Sequence, residues 1–325
     1  MSKLKSFIKN WALPLSMCVG IISYLVYHFT PALYPAGPFL HEAAVRMQPV
    51  LIFFMLFFQF AKVSPKDIKP RLWHLWLLLF QGIVYVALVA LVLRMTEGMP
   101  KVLVESLMAC IICPAAAASG VITSKIGGDL AADITYVVLI NCLVALLLPA
   151  FNPMIHPMEG LTFMQCMWVI LRKVFPTLLF PAVAAWTIRA LSPKLHAWIS
   201  ERVGWAFNIW VITLSIALCL TTKTIVNTRL GIGWLAAIGA VSLVACLMQF
   251  RLGRLIGKGY GYTQSVTSGQ VLGQKNNTFI LWFAYAYMSP MIAIAAGFYC
   301  VWQNLVNSWE LREYRLSGGT HSTGR

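Results

Sequence analysis

Residues 263–288 read TQSVTSGQVLGQKNNTFILWFAYAYM. The segment is long enough to cross a bilayer, which takes about 20 mostly apolar residues. Its middle, Gly273-Gln274-Lys275-Asn276-Asn277, is polar and carries a full charge. A lysine at mid-span costs roughly 2.5–3.5 kcal/mol on insertion scales. Hydrocarbon tolerates irregular backbone only where protein or a water-filled cavity covers it. The segment therefore reads as a broken helix turned toward the protein interior. Residues 105–128, ESLMACIICPAAAASGVITSKIGG, read the same way. Pro114 removes a backbone hydrogen bond, and Ala115–Gly120 has little side-chain bulk. Two broken helices at corresponding positions of two halves point to a transporter site; the plainer reading is two Pro/Gly kinks.

The rest of the chain fits that frame. Of its 325 residues 59% are hydrophobic and only 11% charged, against roughly 25% charged in soluble domains. Apolar runs fall near 12–29, 37–61, 72–93, 102–127, 130–151, 174–191, 204–222, 231–250, 262–287 and 291–309. That predicts an all-α polytopic membrane protein of about ten spans. The broken spans are the fourth of each set of five, so residues 1–151 and 152–309 form two five-helix repeats, the second inverted. A cytoplasmic tail, 310–325, follows. No cleavable signal peptide is evident: MSKLKSFIKN leads into an apolar run without a small-residue cleavage site.

The net charge of +15 is an orientation signal. With the N-terminus inside, seventeen lysines and arginines lie in cytoplasmic segments against at most six outside, which puts both termini in the cytoplasm. No basic strip interleaved with aromatics suggests nucleic acid. The eight cysteines lie in or beside apolar stretches, so a secreted disulfide framework is excluded. Cys110-x-x-Cys113 has no His or acid nearby and reads as packing.

Several motifs together resemble the bile acid:sodium symporter family, within the bile/arsenite/riboflavin transporter superfamily. Phe54–Phe60 with Ala61-Lys62-Val63-Ser64-Pro65-Lys66-Asp67-Ile68 is similar to its F-M-G-L…P-x-D segment. Cys113-Pro114 with Ser119, Thr123 and Gly128 is similar to its C-P-G-G-x-x-S-N-V-x-T…G crossover. Asn276, Ser289-Pro290, Gly297 and Trp302-Gln303-Asn304 are similar to its Q-N…S-P…G…V-W-H-N ending. The resemblance covers nearly the whole chain. It implies panel and core domains around a cavity where spans four and nine cross, with sodium bound there.

Carried over by position, Gln81 matches a sodium-binding glutamine and Ser119 a first-site serine. Where the family has the next asparagine, this chain has Gly120; a serine ligand becomes Asp133 and a threonine becomes Val137. The family's E-x-G-x-Q-N becomes Val271, Gly273, Lys275 and Asn276, although a shift of one or two residues would bring in Gln270 or Gln274. Sodium prefers hard oxygens with an anion among them. An ammonium at that place repels it by several kcal/mol at an effective dielectric of about 20. Lys275 is therefore expected to replace one sodium, with Asp133 as its partner or a titrating site nearby. Lys275 could instead cap the break, and Asp133 could be an acidic first-turn residue at a solvated helix start.

The candidate substrate and ion residues are Ser119, Gly120, Thr123, Asp133, Gln81, Gln274, Lys275, Asn276 and Asn277, with breaks at Pro114 and Gly273. A residual sodium site would use Ser119, Asp133 and Gln81. Gln81 and Asn141 could equally be helix–helix glue. Gln303, Asn304 and Asn307 share a face of the last span, expected at the core–panel contact. His74 reads as interfacial, and Trp11, Trp73, Trp76 and Trp282 as belt or packing residues.

These features predict a secondary transporter of an organic anion or carboxylate, working by alternating access, with sodium coupling lost or changed to protons. The substrate would be a small molecule, the setting a lipid bilayer, most simply a bacterial inner membrane. No cofactor and no catalytic residue is expected: the histidines are scattered and only ten acidic residues exist. An intramembrane enzyme and a non-transporting regulator are the alternatives.

Overall fold

The structure is a computed structural model, and it describes residues 12–202, 205–228 and 230–317. These form thirteen α-helices and two short 3-10 turns. In chain order they are α1 Ala12–Phe29, α2 Gly37–Phe60, α3 Leu72–Val92, α4 Met99–Ile112, α5 Ser119–Lys125, α6 Leu130–Ile155 and α7 Phe163–Leu191. There follow α8 Pro193–Glu201, α9 Trp205–Asn227, α10 Ile232–Lys258, α11 Tyr262–Gly273, α12 Asn277–Tyr287 and α13 Pro290–Leu316. No strand occurs among the described residues, only one isolated bridge between Ala115 and Lys275.

Among the described residues, six helical stretches are long and apolar enough to cross a membrane: Pro31–Phe60, Leu72–Val92, Leu130–Ile155, Phe163–Leu191, Asn208–Asn227 and Ile232–Lys258. The outer surface agrees with them. Ile232 is 82% exposed, Phe29 76% and Ile83 65%. Apolar surface on that scale belongs in lipid, not water. The chain is an all-α membrane-embedded protein.

Inside, helices approach closely where side chains are small. On α10, a Cβ at Gly253 would lie 2.3 Å from the Ser268 carbonyl oxygen, and one at Gly257 2.5 Å from that of Gln264. This Gly-x-x-x-Gly pair lets α11 lie directly on α10. Gly20 of α1 meets the Ser215 carbonyl of α9 in the same way. α6 packs on α7, and Asn141 ties them by donating to the Leu178 carbonyl at 3.3 Å.

Helix boundaries differ most from the sequence expectation in four places. α7 begins at Phe163, eleven residues earlier than expected. A reciprocal cap sets that start: Gln165 N–H donates to Thr162 Oγ1, and Thr162 N–H donates to the Gln165 side chain at 2.8 Å. α10 runs on to Lys258. A short helix, α8, follows Ser192-Pro193 and buries Ile199 while exposing Leu195 and Trp198. α13 continues through Glu310 to Leu316, so the expected tail begins as helix. His74 is wholly buried rather than interfacial and Trp73 is buried packing, because α3 turns them onto α6 and α11. Trp76 is exposed, as a belt residue would be, and Trp282 is buried packing. Trp11 lies outside the described residues.

Candidate functional site: the crossing of two broken helices

α4 stops at Ile112 and α5 starts at Ser119, leaving Cys113–Ala118 irregular around Pro114. α11 stops at Gly273 and α12 starts at Asn277. The two gaps pair as a short antiparallel ladder. Ala116 N–H donates to the Gln274 carbonyl at 2.9 Å, and Asn276 N–H to the Pro114 carbonyl at 2.8 Å. Glycine at 273 is a matter of space: a Cβ there would sit 2.3 Å from the Phe250 ring.

Breaking a helix orphans carbonyls at its C-terminus, and in a dry interior each needs a donor. Here side chains from neighbouring helices supply them. Gln249 donates to Cys110 O at 3.2 Å and Tyr299 to Gly273 O at 2.8 Å. Gln303 accepts from Lys275 N–H at 2.9 Å and donates to Lys275 O at 3.2 Å, acting as one more strand. Asn276 accepts from Phe279 N–H at 3.2 Å and caps α12. Gln81 donates to Ile111 O at 2.6 Å and lies 3.5 Å from Cys113 O, while its own oxygen accepts from Tyr136.

Lys275 is 1% exposed. Its ammonium donates to Ile111 O at 3.4 Å, the same carbonyl that Gln81 holds. It therefore sits at the C-terminal, negative end of α4, where a cation is favoured. The titratable groups around it are the thiols of Cys113, Cys110 and Cys246, and no carboxylate among the described residues pairs with it.

Asp133 belongs to a separate cluster. It is fully buried, and its oxygens accept from Ser119 at 2.8 Å and Thr123 at 2.8 Å. The carboxylate lies against Gly120, 3.4 Å from where a Cβ would be; Gln59 Nε2 lies 3.8 Å from the same point. A side chain at 120 would also strike Leu130. Asp133 thus reaches into room that a larger residue 120 would need. Gln59 is buried with neither amide atom hydrogen-bonded. The cation that feels Asp133 is Lys62, in the loop after α2. Burial lowers the Lys62 ammonium below the usual lysine range, against the opposing pull of Asp133.

The expected Lys275–Asp133 partnership is thus not formed: the two side chains are held by different helices. Of the set Ser119, Asp133 and Gln81, the structure joins the first two by a hydrogen bond, while Gln81 bonds to the α4 terminus and to Tyr136. Asn277 lies at the crossing, its Nδ2 without a hydrogen bond.

Sequence reading missed a third feature. From Gln274 a buried string of polar side chains leads outward: Gln274 donates to Gln270 and to Asn307 (3.0 Å), Gln270 donates to Glu310, and Arg254 donates to Glu310 at 2.6 and 3.0 Å. It ends at a cavity of about 380 Å³ lined by Arg254, Glu310, Tyr262 and Tyr314. The i, i+4 spacing of Gln270 and Gln274, and of Gln303 and Asn307, was legible; that Glu310 joins them was not.

No protein-family model matches the chain, and no curated protein is similar to it.

Proposed function

We propose that the protein is a secondary transporter of a small organic anion, built from ten spans in two inverted five-helix repeats and working by alternating access. The observation that carries this reading is the crossing itself. Two interrupted helices meet in the interior, hydrogen-bonded backbone to backbone, beside a buried ammonium with no carboxylate partner among the described residues. A fold that needed only packing would place two continuous helices here. Lys275 provides a fixed positive charge for a carboxylate and stands in for a coupling sodium, as the resemblance to the bile acid:sodium symporters implies.

The cluster of Asp133, Ser119, Thr123 and Gln59 is the second half of the proposal. It offers one carboxylate, two hydroxyls and an unengaged carboxamide. Such a set holds a proton, or a cation in a reduced sodium site. We assign the coupling ion to this cluster, with a proton as the first choice because Asp133 replaces a neutral ligand.

A panel of organic acids in a thermal-unfolding assay, with and without sodium and at two pH values, tests both halves. At least one carboxylate should stabilise the protein without sodium, and Lys275→Gln should abolish that stabilisation. Uptake of the same acid into proteoliposomes should respond to a pH gradient, and Asp133→Asn should remove the response. A sodium-dependent effect in the wild type that vanishes in Lys275→Gln would contradict the tethered-cation reading.

A further inference from the structure

Away from the crossing, α1, α2 and α9 enclose a cavity of about 580 Å³. Its volume lies within the roughly 300–1,000 Å³ of sites that take small organic ligands. Ala44, Ile216 and Leu220 give it an apolar wall. Three polar groups stand where α2 begins and α9 ends: Lys223, His41 and Tyr27. Lys223 is half-buried and pairs with no acid among the described residues; the titratable groups that act with it are Cys219 and His41. His41 Nδ1 is buried without a hydrogen bond. Residue 37 is glycine, and the Tyr27 hydroxyl lies where its Cβ would be, so that hydroxyl reaches across to the start of α2.

The surroundings show how an occupant would arrive. Val19, Ile22 and Val26 of α1 and Phe39 and Leu40 of α2 are exposed apolar residues, so the helices that enclose the cavity present themselves to lipid. An uncompensated cation beside an apolar slot in that setting selects one chemistry, a head with a single negative charge on a hydrocarbon tail. We infer that this cavity binds an amphipathic anion with one negative charge, its acidic head at Lys223 and His41 and a hydrocarbon chain along Ala44, Ile216 and Leu220.

The site is connected to the crossing helices. The His41 ring packs edge-on to Tyr285 of α12, with centroids 6.1 Å apart. The Tyr285 hydroxyl donates to the Leu220 carbonyl at 2.7 Å. An occupant touching His41 and Leu220 therefore bears on the half-helix that starts beside Lys275.

The test uses the full chain in phosphatidylcholine nanodiscs. Dodecanoate should raise the unfolding temperature, and dodecanol at the same concentration should not. Lys223→Gln should weaken the apparent dodecanoate affinity about tenfold by removing a charge-assisted contact, and Ala44→Trp should abolish binding by filling the slot. Lys275→Gln should leave dodecanoate binding unchanged, which separates this site from the proposed transport site. Nanodiscs containing phosphatidylglycerol identify the source of the anion. Stabilisation by that lipid, lost in Lys223→Gln, supports the same site occupied by a lipid headgroup, whether or not free dodecanoate binds. Equal binding of dodecanol and dodecanoate, no response to either dodecanoate or phosphatidylglycerol, or loss in Lys275→Gln but not in Lys223→Gln overturns the inference.

Discussion

The Lys275 ammonium makes one long hydrogen bond, 3.4 Å to a carbonyl already held by Gln81 at 2.6 Å. An ammonium has three donors, so little of its capacity is engaged by that contact. Lys275→Met should therefore change stability by no more than about 1 kcal/mol, since the lost bond is offset by the removed desolvation of a charge. Thermal unfolding in detergent would check this; a collapse of the fold would mean that Lys275 serves mainly to close the break. Asp129, just outside α6, behaves differently. Burial raises its carboxyl, but the Ala132 N–H, Arg71 at 2.7 Å and Gln264 outweigh this and hold it below the ordinary aspartate range. A depressed folded value contributes stability above the unfolded pKa of about 3.9, lost as pH falls through the folded one. Asp129→Asn keeps the helix cap, because asparagine caps as well as aspartate, and should cost no more than about 1 kcal/mol at pH 7 through the lost ion pair with Arg71. The gap to wild type should narrow on acidification below pH ~4. Melting curves across that range would read it, and a gap that widens in acid would reverse the assignment.

At the level of elements, close approach governs. α11 leads into the break at Gly273, and it is placed by the glycines of α10. Gly253→Leu should push α11 off α10, lower the unfolding temperature strongly and disturb the ladder at Ala115 and Lys275. Gly259→Ala is the control, because nothing lies within 4 Å of a Cβ there. Equal melting temperatures for the two variants would show that α10 and α11 do not depend on the contact. The start of α7 offers a smaller test. Thr162→Ala removes the hydroxyl that caps it and should cost about 1 kcal/mol. Both features were written in the sequence, as Gly253-x-x-x-Gly257 and Thr162-x-x-Gln165. Hydropathy alone passed over the second because Arg172 and Lys173 interrupt the apolar run.

Across the whole molecule, the string from Arg254 through Glu310, Gln270 and Gln274 ties the surface end of α13 to the crossing. Glu310→Ala would leave the Gln270 amide without its acceptor, at about 1–3 kcal/mol. Glu310→Gln, which can still accept, should recover part of the loss; if both variants melt like wild type, the string is incidental. The positions of the breaks, the apolar helices and the polar residues that line the crossing all follow from the order of residues along the chain. Hydropathy, proline and glycine act locally, within a turn or a span. Partner choice does not. Asp133 is held by Ser119 and Thr123 instead of Lys275, and Gln81 closes α4 instead of joining Asp133. Those pairings join side chains to partners on different helices, 10 to 30 residues away along the chain, and they depend on which face each helix turns to its neighbours. That rotation is settled only when all the helices pack at once and every buried polar group competes for the same few partners.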